Sequence, residues 1–543
     1  MASVQAPLSI IQLVGDELEN IYQLGLRDRE RHEPLFHQIQ HFLSTPYPLF
    51  DRMGKKMASY LVNYNLEHNS SFEKKIQAYA EGLAQDPKEV AYAMLIPELV
   101  SSMSKWIPGL PSGLLGCSSF FLLDEKSGKP VHGRILDFPL QGSFDTEERI
   151  LSTHYNGQQK VVSLGSCGFP LASITCMNEA GVTLAMHQKF TTVFHTKGTS
   201  IFEIAHQFIS TIETKADALK WLKEQQSITT WCFYLSFAKS NEVLAVDLMG
   251  EKLVSKTYGL KEKEVLYFNN DLIQKAKFPT IPYGVEEYNQ LRTLNAKRKI
   301  AKLKRFDEVS LLKLMTTPLD LKFPQAEQID HYDTLTSSSV SVCTLHPGAQ
   351  SMAVIEGEAP KFFRGEIAQV TNCFENPKMN KRKEKGKTAH PDYQAGLRFY
   401  AKAQIAYDAH EIHKAYHCIQ MGMAHFKTGY YFHYGRFFLN VFEFIHETHE
   451  KNRQFNLSEF RELKDLMSPY LKDQCQLFIY RLERLLGVPS ELQMKEIKHP
   501  ELKKVFRLEQ RIPTSVLHKM TTLFMAPRID IRDVITVEIK PND

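Results

Sequence analysis

Cys117 stands between a glycine and two small hydroxyl residues in Leu114-Leu115-Gly116-Cys117-Ser118-Ser119, at the head of an apolar run. Fifteen residues on comes His132-Gly133-Arg134-Ile135-Leu136-Asp137-Phe138, with an arginine and an aspartate three apart. These residue types suit nucleophilic attack on an amide or thioester carbonyl. A free thiol, with a pKa near about 8.5, is only a few per cent ionised at neutral pH and needs a base. Cleavage of the Gly116-Cys117 bond would supply one, because the liberated α-amine, with a reference pKa of about 7.7 to 8.0, accepts that proton. Such a nucleophile also requires a carboxylate to orient the ammonium, a cation beside the thiolate and donors aimed at the oxyanion. A conventional cysteine hydrolase would instead use a separate base, for which His132, His154 and His187 are the nearest histidines.

Strand signals surround the cysteine. Alternating apolar residues predict strands at Cys117-Leu123 and Val131-Phe138, joined by a turn over Asp124-Pro130, so Arg134 and Asp137 lie on the strand that pairs with the cysteine strand. Further strands are predicted at 160–165, 171–177, 182–188, 231–238, 242–248, 252–257, 265–268, 338–344 and 351–356, and helices near 200–211, 215–225, 285–303 and 307–314. Strands, two helices, then strands again imply an α+β layered core.

On either side the period is helical. Residues 9 to 104 read as helix, with Leu18, Ile21, Leu24 and Leu26, then Phe36, Ile39 and Phe42, then Ala91, Met94, Leu95 and Leu99 near one face; Pro108 to Gly113 then form a loop leading into Cys117. The segment 376–387 is polar and mixed in charge and reads as a solvated linker. Beyond it 391–525 is strongly helical, with long stretches at Tyr393-Lys427 and Glu459-Leu486. The expected divisions are a helical leader at 1–116, a core at 117–370, a linker at 371–390 and a helical C-terminal domain at 391–543.

Composition excludes several classes. The chain has 543 residues, 43% hydrophobic and 24% charged, with a net charge of +4 and no dense basic stripe interleaved with aromatics, so nucleic acid is not an expected partner. No apolar run reaches the roughly eighteen residues of a membrane span, and the N-terminus lacks a signal-peptide pattern, so a cytoplasmic location is expected. Eight scattered cysteines without CxxC spacing support neither a disulfide scaffold nor a zinc site. His410, His413 and His417 share a helix face without carboxylates at ligand spacing, and the aromatic run from Phe426 to Phe438 suits helix packing. Neither a metal nor a cofactor is expected.

The sequence resembles the N-terminal nucleophile hydrolases of the choloylglycine hydrolase and acid ceramidase superfamily, and within it the isopenicillin N acyltransferase (acyl-CoA:6-aminopenicillanate acyltransferase) family. The resemblance rests on Gly116-Cys117-Ser118-Ser119, on His132 to Phe138 as the Gly-Arg-Asn-x-Asp-aromatic strand, on Asn178-Glu179-Ala180-Gly181-Val182 as the Asn-x-x-Gly turn, and on Phe268-Asn269-Asn270-Asp271 as the Thr-Asn motif. It spans roughly residues 10 to 360, with Ile135 and Phe268 departing from the pattern. It implies an αββα Ntn-hydrolase core, made as a precursor whose leader is cut off and retained. Cys117 then resembles the nucleophile, Asp137 the carboxylate holding its α-amine, Arg134 the neighbouring cation, Asn269 the side-chain oxyanion donor and Arg292 a second arginine.

The expected activity is therefore a self-processing cysteine amidohydrolase acting on a small-molecule linear N-acyl amide through an acyl-thioester. The same acyl-enzyme serves an N-acyltransferase, for which an acyl-CoA is a candidate donor. An alternative from another class is a non-catalytic scaffold of the same fold whose helical C-terminus binds a protein.

Overall fold

The computed structural model describes residues 7–41, 48–103, 116–189, 191, 193–274, 285–317, 333–446 and 449–517. Phe42, the loop from Pro108 to Gly113 and the end of the expected C-terminal helical region lie outside them.

Two sheets form the core. The first has eight strands in the order β1 (Ser9–Gly15), β4 (Glu148–Tyr155), β5 (Val161–Ser166), β6 (Thr175–Asn178), β7 (Val182–Gln188), β8 (Thr230–Phe237), β9 (Glu242–Met249) and β10 (Lys252–Gly259). The second runs β11 (Leu266–Phe268), β2 (Cys117–Leu123), β3 (Pro130–Asp137), β12 (Ser339–His346), β13 (Ser351–Val354), β14 (Glu366–Thr371) and β15 (Lys378–Lys383). Side chains alternate across a strand, so each sheet has two faces to bury. The inner faces meet, Ile150, Val162 and Met177 against Cys343, Leu345 and Val354 at one end, and Phe121 and Leu123 against Cys232, Tyr234 and Val243 at the other.

The outer face of the first sheet, including Leu151, Leu184, Phe233 and Val246, packs on the helices α1 (Glu17–Asp28), α2 (Glu33–His41), α3 (Pro48–His68), α4 (Ser70–Leu83), α5 (Pro87–Met103), α6 (Ile201–Thr211) and α7 (Lys215–Lys223). That of the second, including Phe120, Leu122, Ile135 and Val342, packs on α9 (Glu308–Thr316) and on the helices that begin at α10 (Pro391–Asp408). The layer order is αββα. Among the described residues no helix is long and apolar enough to cross a membrane.

The leader is not purely helical. Ser9–Gly15 is an edge strand pairing parallel with β4, Ser9 opposite Arg149 and Gly15 opposite Tyr155. A short apolar run such as Ile10-Ile11-Gln12-Leu13-Val14 does not distinguish strand from helix by period. Described helices of the expected leader are tied to the core: Arg149 pairs with Asp28, Lys75 with Glu203 at 2.8 Å, and Trp231 Nε1 donates to Glu98 at 3.1 Å. Strands β4 and β14 are also additional to the sequence reading.

The expected linker contains the strand β15, in register with β14 from Thr371 opposite Lys378 to Glu366 opposite Lys383. Its sequence Lys-Met-Asn-Lys-Arg-Lys is that of a protected sheet edge, where lysines discourage further pairing, and such a strand has the composition of a solvated linker. No solvated gap separates the C-terminal helices from the core, since Phe362 and Phe363 share one buried cluster with Tyr393, Tyr400 and Phe426. Tyr393-Lys427 divides into α10 and α11 (Ile412–Phe426) at His410, whose φ of 61° no α-helix continues through. Next come α12 (Tyr430–His446), α13 (Glu450–Leu463), α14 (Pro469–Leu485) and α15 (Pro500–Glu509). The aromatic residues Tyr430, Tyr431, Tyr434, Phe437 and Phe438 are core.

Candidate active site

Cys117 opens β2 and is buried, with 3% of its surface exposed. Alternation along β2 turns Cys117 and Ser119 toward the first sheet, while Ser118 and Phe120 face the outer helices. On β3, Ser119 lies opposite Arg134 and Cys117 opposite Leu136. The three-residue spacing of Arg134 and Asp137 therefore places them on opposite faces of β3, one on each side of the Cys117 backbone.

Arg134 reaches the sulfur. Its Nη2 donates to Cys117 Sγ at 3.0 Å and to the Met186 carbonyl at 2.6 Å. The guanidinium is 1% exposed, and its Nε and Nη1 have no hydrogen-bond partner among the described residues. Burying charged donors without partners costs several kcal/mol in general, so their retention beside a thiol points to use in chemistry. Burial pushes the Cys117 thiol up from its ordinary range, against the pull of the Arg134 charge.

Asp137 serves the other side. Its backbone N–H donates to the Gly116 carbonyl at 2.9 Å, and its carboxylate accepts from Ser339 Oγ and from Arg292 Nη2, the latter at 3.3 Å. Burial raises its pKa, opposed by the charge of Arg292. The glycine preceding the cysteine has a steric reason as well: a Cβ there would sit 2.6 Å from Asp137 Oδ2.

Arg292, on α8 (Val285–Ile300), is fully buried and joins three of these groups, donating also to Ser118 Oγ at 2.9 Å and to Asn270 Oδ1 at 3.2 Å. The same Asn270 oxygen accepts the backbone N–H of Cys117 at 2.8 Å, and its Nδ2 donates to the Gln188 carbonyl at 2.9 Å. Two donors on one end and a carbonyl at the other fix the orientation of this amide.

Four of the five expected residues thus meet around Cys117. Asn269 does not: its Nδ2 is engaged by the Asn289 carbonyl at 2.8 Å and Thr293 Oγ1 at 3.0 Å, both on α8. The reason is parity. Phe268 faces the first sheet, packing on Phe121 and Tyr234, so Asn270, two residues on, shares its side and Asn269 takes the other. Following the alternation out of Phe268 would have selected Asn270.

The histidines are engaged elsewhere. His187 Nδ1 lies 3.2 Å from the Asn269 carbonyl, which only accepts, so His187 is protonated at Nδ1 and its Nε2 accepts from Ser119 Oγ at 2.8 Å. Ser119 Oγ in turn accepts from His132 Nε2 at 3.0 Å, and His132 Nδ1 accepts from Thr183 Oγ1 at 2.9 Å. Both rings are neutral, their pKa values held well below the ordinary imidazole range by burial first and by Arg134 second. His154 lies apart, its Nε2 3.3 Å from Ser152 Oγ.

Sequence reasoning missed Lys189, fully buried just past β7. Its Nζ donates to the Asn269 carbonyl at 2.9 Å, Tyr234 Oη at 2.9 Å and the Asp271 carbonyl at 2.5 Å, fastening both ends of the segment that presents Asn270. A lysine directly after the predicted strand 182–188 was the signal available. Among the described residues no group of three or more His, Cys, Asp or Glu side chains is placed to hold a metal.

No protein-family model matches the sequence, and no curated protein matches it. Among solved structures the chain is similar to a Caenorhabditis elegans N-acylethanolamine-hydrolyzing acid amidase (NAAA) ortholog, at 13% identity and a TM-score of 0.32, over 43% of this chain and 93% of that one. A likeness of that size carries no argument about activity, which rests on the residues around Cys117.

Proposed function

We propose that this protein is a self-processing cysteine amidohydrolase of the N-terminal nucleophile type, acting on a linear N-acyl amide. The observation that supports this most is the division of labour at Cys117: a buried arginine with spare donors on the sulfur, and Asn270, Arg292 and Asp137 around the peptide bond that precedes it.

Processing begins with attack of Cys117 Sγ on the Gly116 carbonyl carbon, whose oxygen is already held by the Asp137 N–H. The Gly116-Cys117 C–N bond breaks as the S–C bond forms, and the nitrogen takes up a proton. Water then hydrolyses the thioester, leaving a Gly116 carboxylate, a free thiol and an α-amine on Cys117. The leader stays in place, because β1 and the buried Asp28, Lys75 and Glu98 contacts belong to the core. Asn270 Oδ1 and the Asp137 carboxylate then orient the new amine.

In turnover the amine takes the thiol proton, the thiolate attacks the substrate acyl carbon, and the unpartnered Arg134 N–H groups meet the developing oxyanion. The ammonium passes its proton to the leaving amine, and water releases the acyl group as the acid. A separate histidine base is not needed, since His132 and His187 are committed to Ser119.

Intact-mass measurement of the purified protein tests this reading. Two pieces meeting at Gly116/Cys117, merged into one chain by Cys117→Ala, are expected. An uncleaved wild-type chain whose Cys117 resists acylating probes would overturn it. An N-acyl amide library on the processed protein, with and without an added acceptor amine, separates hydrolysis from acyl transfer.

A further inference from the structure

A cavity of about 610 Å³ lies between the end of α8, α9 and the loop after β15. Three separated chain segments bring cations to it: Lys302, Lys304 and Arg305 from the turn between the helices, Lys313 from α9, and Lys385 and Lys387 from the loop. Among the described residues no acidic side chain lines it. Lys299, nearly buried, closes one wall and is paired with Asp333 at 2.7 Å.

The convergence is built. Glu384 N–H donates to the Gly365 carbonyl at 2.8 Å, Lys313 Nζ donates to the Lys385 carbonyl, and Gly386 rests on Phe363 so closely that a Cβ would lie 2.6 Å from the ring. These contacts hold the loop lysines against α9 although like charges within about one Debye length, about 8 Å at physiological salt, repel. The helix dipole of α8 accounts for cations in its last turn but not for those of the loop. At the ends of α8 and α9 the Ile300 carbonyl accepts from Leu303 N and the Thr316 carbonyl from Phe363 N. Glu384 and Asp307 offset Lys313 and Arg305, whereas Lys302, Lys304, Lys385 and Lys387 form no ion pair among the described residues.

We infer that this cavity binds a small molecule carrying two or more adjacent phosphates. Its volume falls in the range of about 300–1,000 Å³ typical of small-ligand sites, and Leu303 and Leu314 give it an apolar wall for the rest of the ligand. Nucleotides and inositol polyphosphates share this chemistry. The site is separate from the reaction proposed at Cys117, so its binding is expected to be unchanged in Cys117→Ala.

Titration calorimetry on the full chain at about 0.15 M salt, with inorganic triphosphate as probe, tests the assignment. A single saturable site with Kd below about 1 mM is expected, weakened about tenfold or more in Lys302→Glu/Lys385→Glu. Lys252→Glu/Lys256→Glu on the exposed strand β10 makes the same charge change elsewhere and is expected to leave Kd within about twofold. ATP and inositol hexakisphosphate, run beside the triphosphate, identify the source by which binds tighter. Absence of saturable binding by all three, or equal weakening by both double substitutions, overturns the proposal.

Discussion

The oriented chain Thr183–His132–Ser119–His187 makes a quantitative prediction for His132→Gln. The glutamine amide offers a donor to Ser119 and an acceptor to Thr183, as the ring does, but it does not titrate. In the wild type the His132 pKa is held well below the ordinary value by burial, so the unfolded state binds the extra proton as pH falls below about 6.5 while the folded state does not. Stability from this group is therefore present above the unfolded pKa and lost on acidification. Integrating one proton between pH 7.5 and pH 5.5 gives about 1.4 kcal/mol. The difference between wild type and variant is the quantity to read. Glu98 and Glu308, both pushed up to about 7 by burial, titrate in the opposite sense over the same window, and their contributions are common to both proteins. Urea unfolding followed by tryptophan fluorescence reports on this core, since Trp231 lies on β8 and Trp221 packs against the same cluster. The stability of wild type minus variant is expected to fall by about 1.4 kcal/mol from pH 7.5 to 5.5. A difference that stays flat, or that grows, would show that His132 is not a neutral member of the chain and would refute the tautomer assignment.

Other substitutions test other contacts. Gly116→Ala drives a methyl into Asp137 Oδ2 and is expected to cost about 1–3 kcal/mol by urea midpoint and to slow the appearance of the two-chain form by mass; unchanged values for both would discount the close approach. Arg134→Gln removes the cation beside the sulfur, so alkylation of Cys117 in processed protein at neutral pH should slow about tenfold or more, and an unaltered rate would mean that the guanidinium does not favour the thiolate. Arg481→Leu strands Glu509, its fully buried partner at 2.8 Å, and is expected to destabilise the C-terminal helices by about 3–5 kcal/mol in far-UV circular dichroism; a loss below about 1 kcal/mol would indicate that Glu509 finds water.

What was legible in the sequence was what short-range physics controls. The cysteine strand and the strand at Val182–Gln188 stand where apolar alternation and turn residues placed them, as do α6 and α7, because an element of that kind declares its period within a few residues. The edges were less legible. Ser9–Gly15 and Lys378–Lys383 are strands because a neighbour offers a ladder, and neither has the half-buried alternation of a central strand.

By itself the sequence determined the nucleophile candidate and the partner strand carrying Arg134 and Asp137. Only the tertiary structure decided what they meet. Asn270 comes to the Cys117 amide from 153 residues away, Arg292 to Ser118 from 174, and Lys189 to the Asn269 carbonyl from 80. Backbone period sets which way a side chain points, but the group found there depends on which faces of two sheets and a helix are buried together. That choice also turned Arg292 from an arginine on a polar helix into a fully buried centre of the site, and passed the asparagine's place at Cys117 from Asn269 to its neighbour.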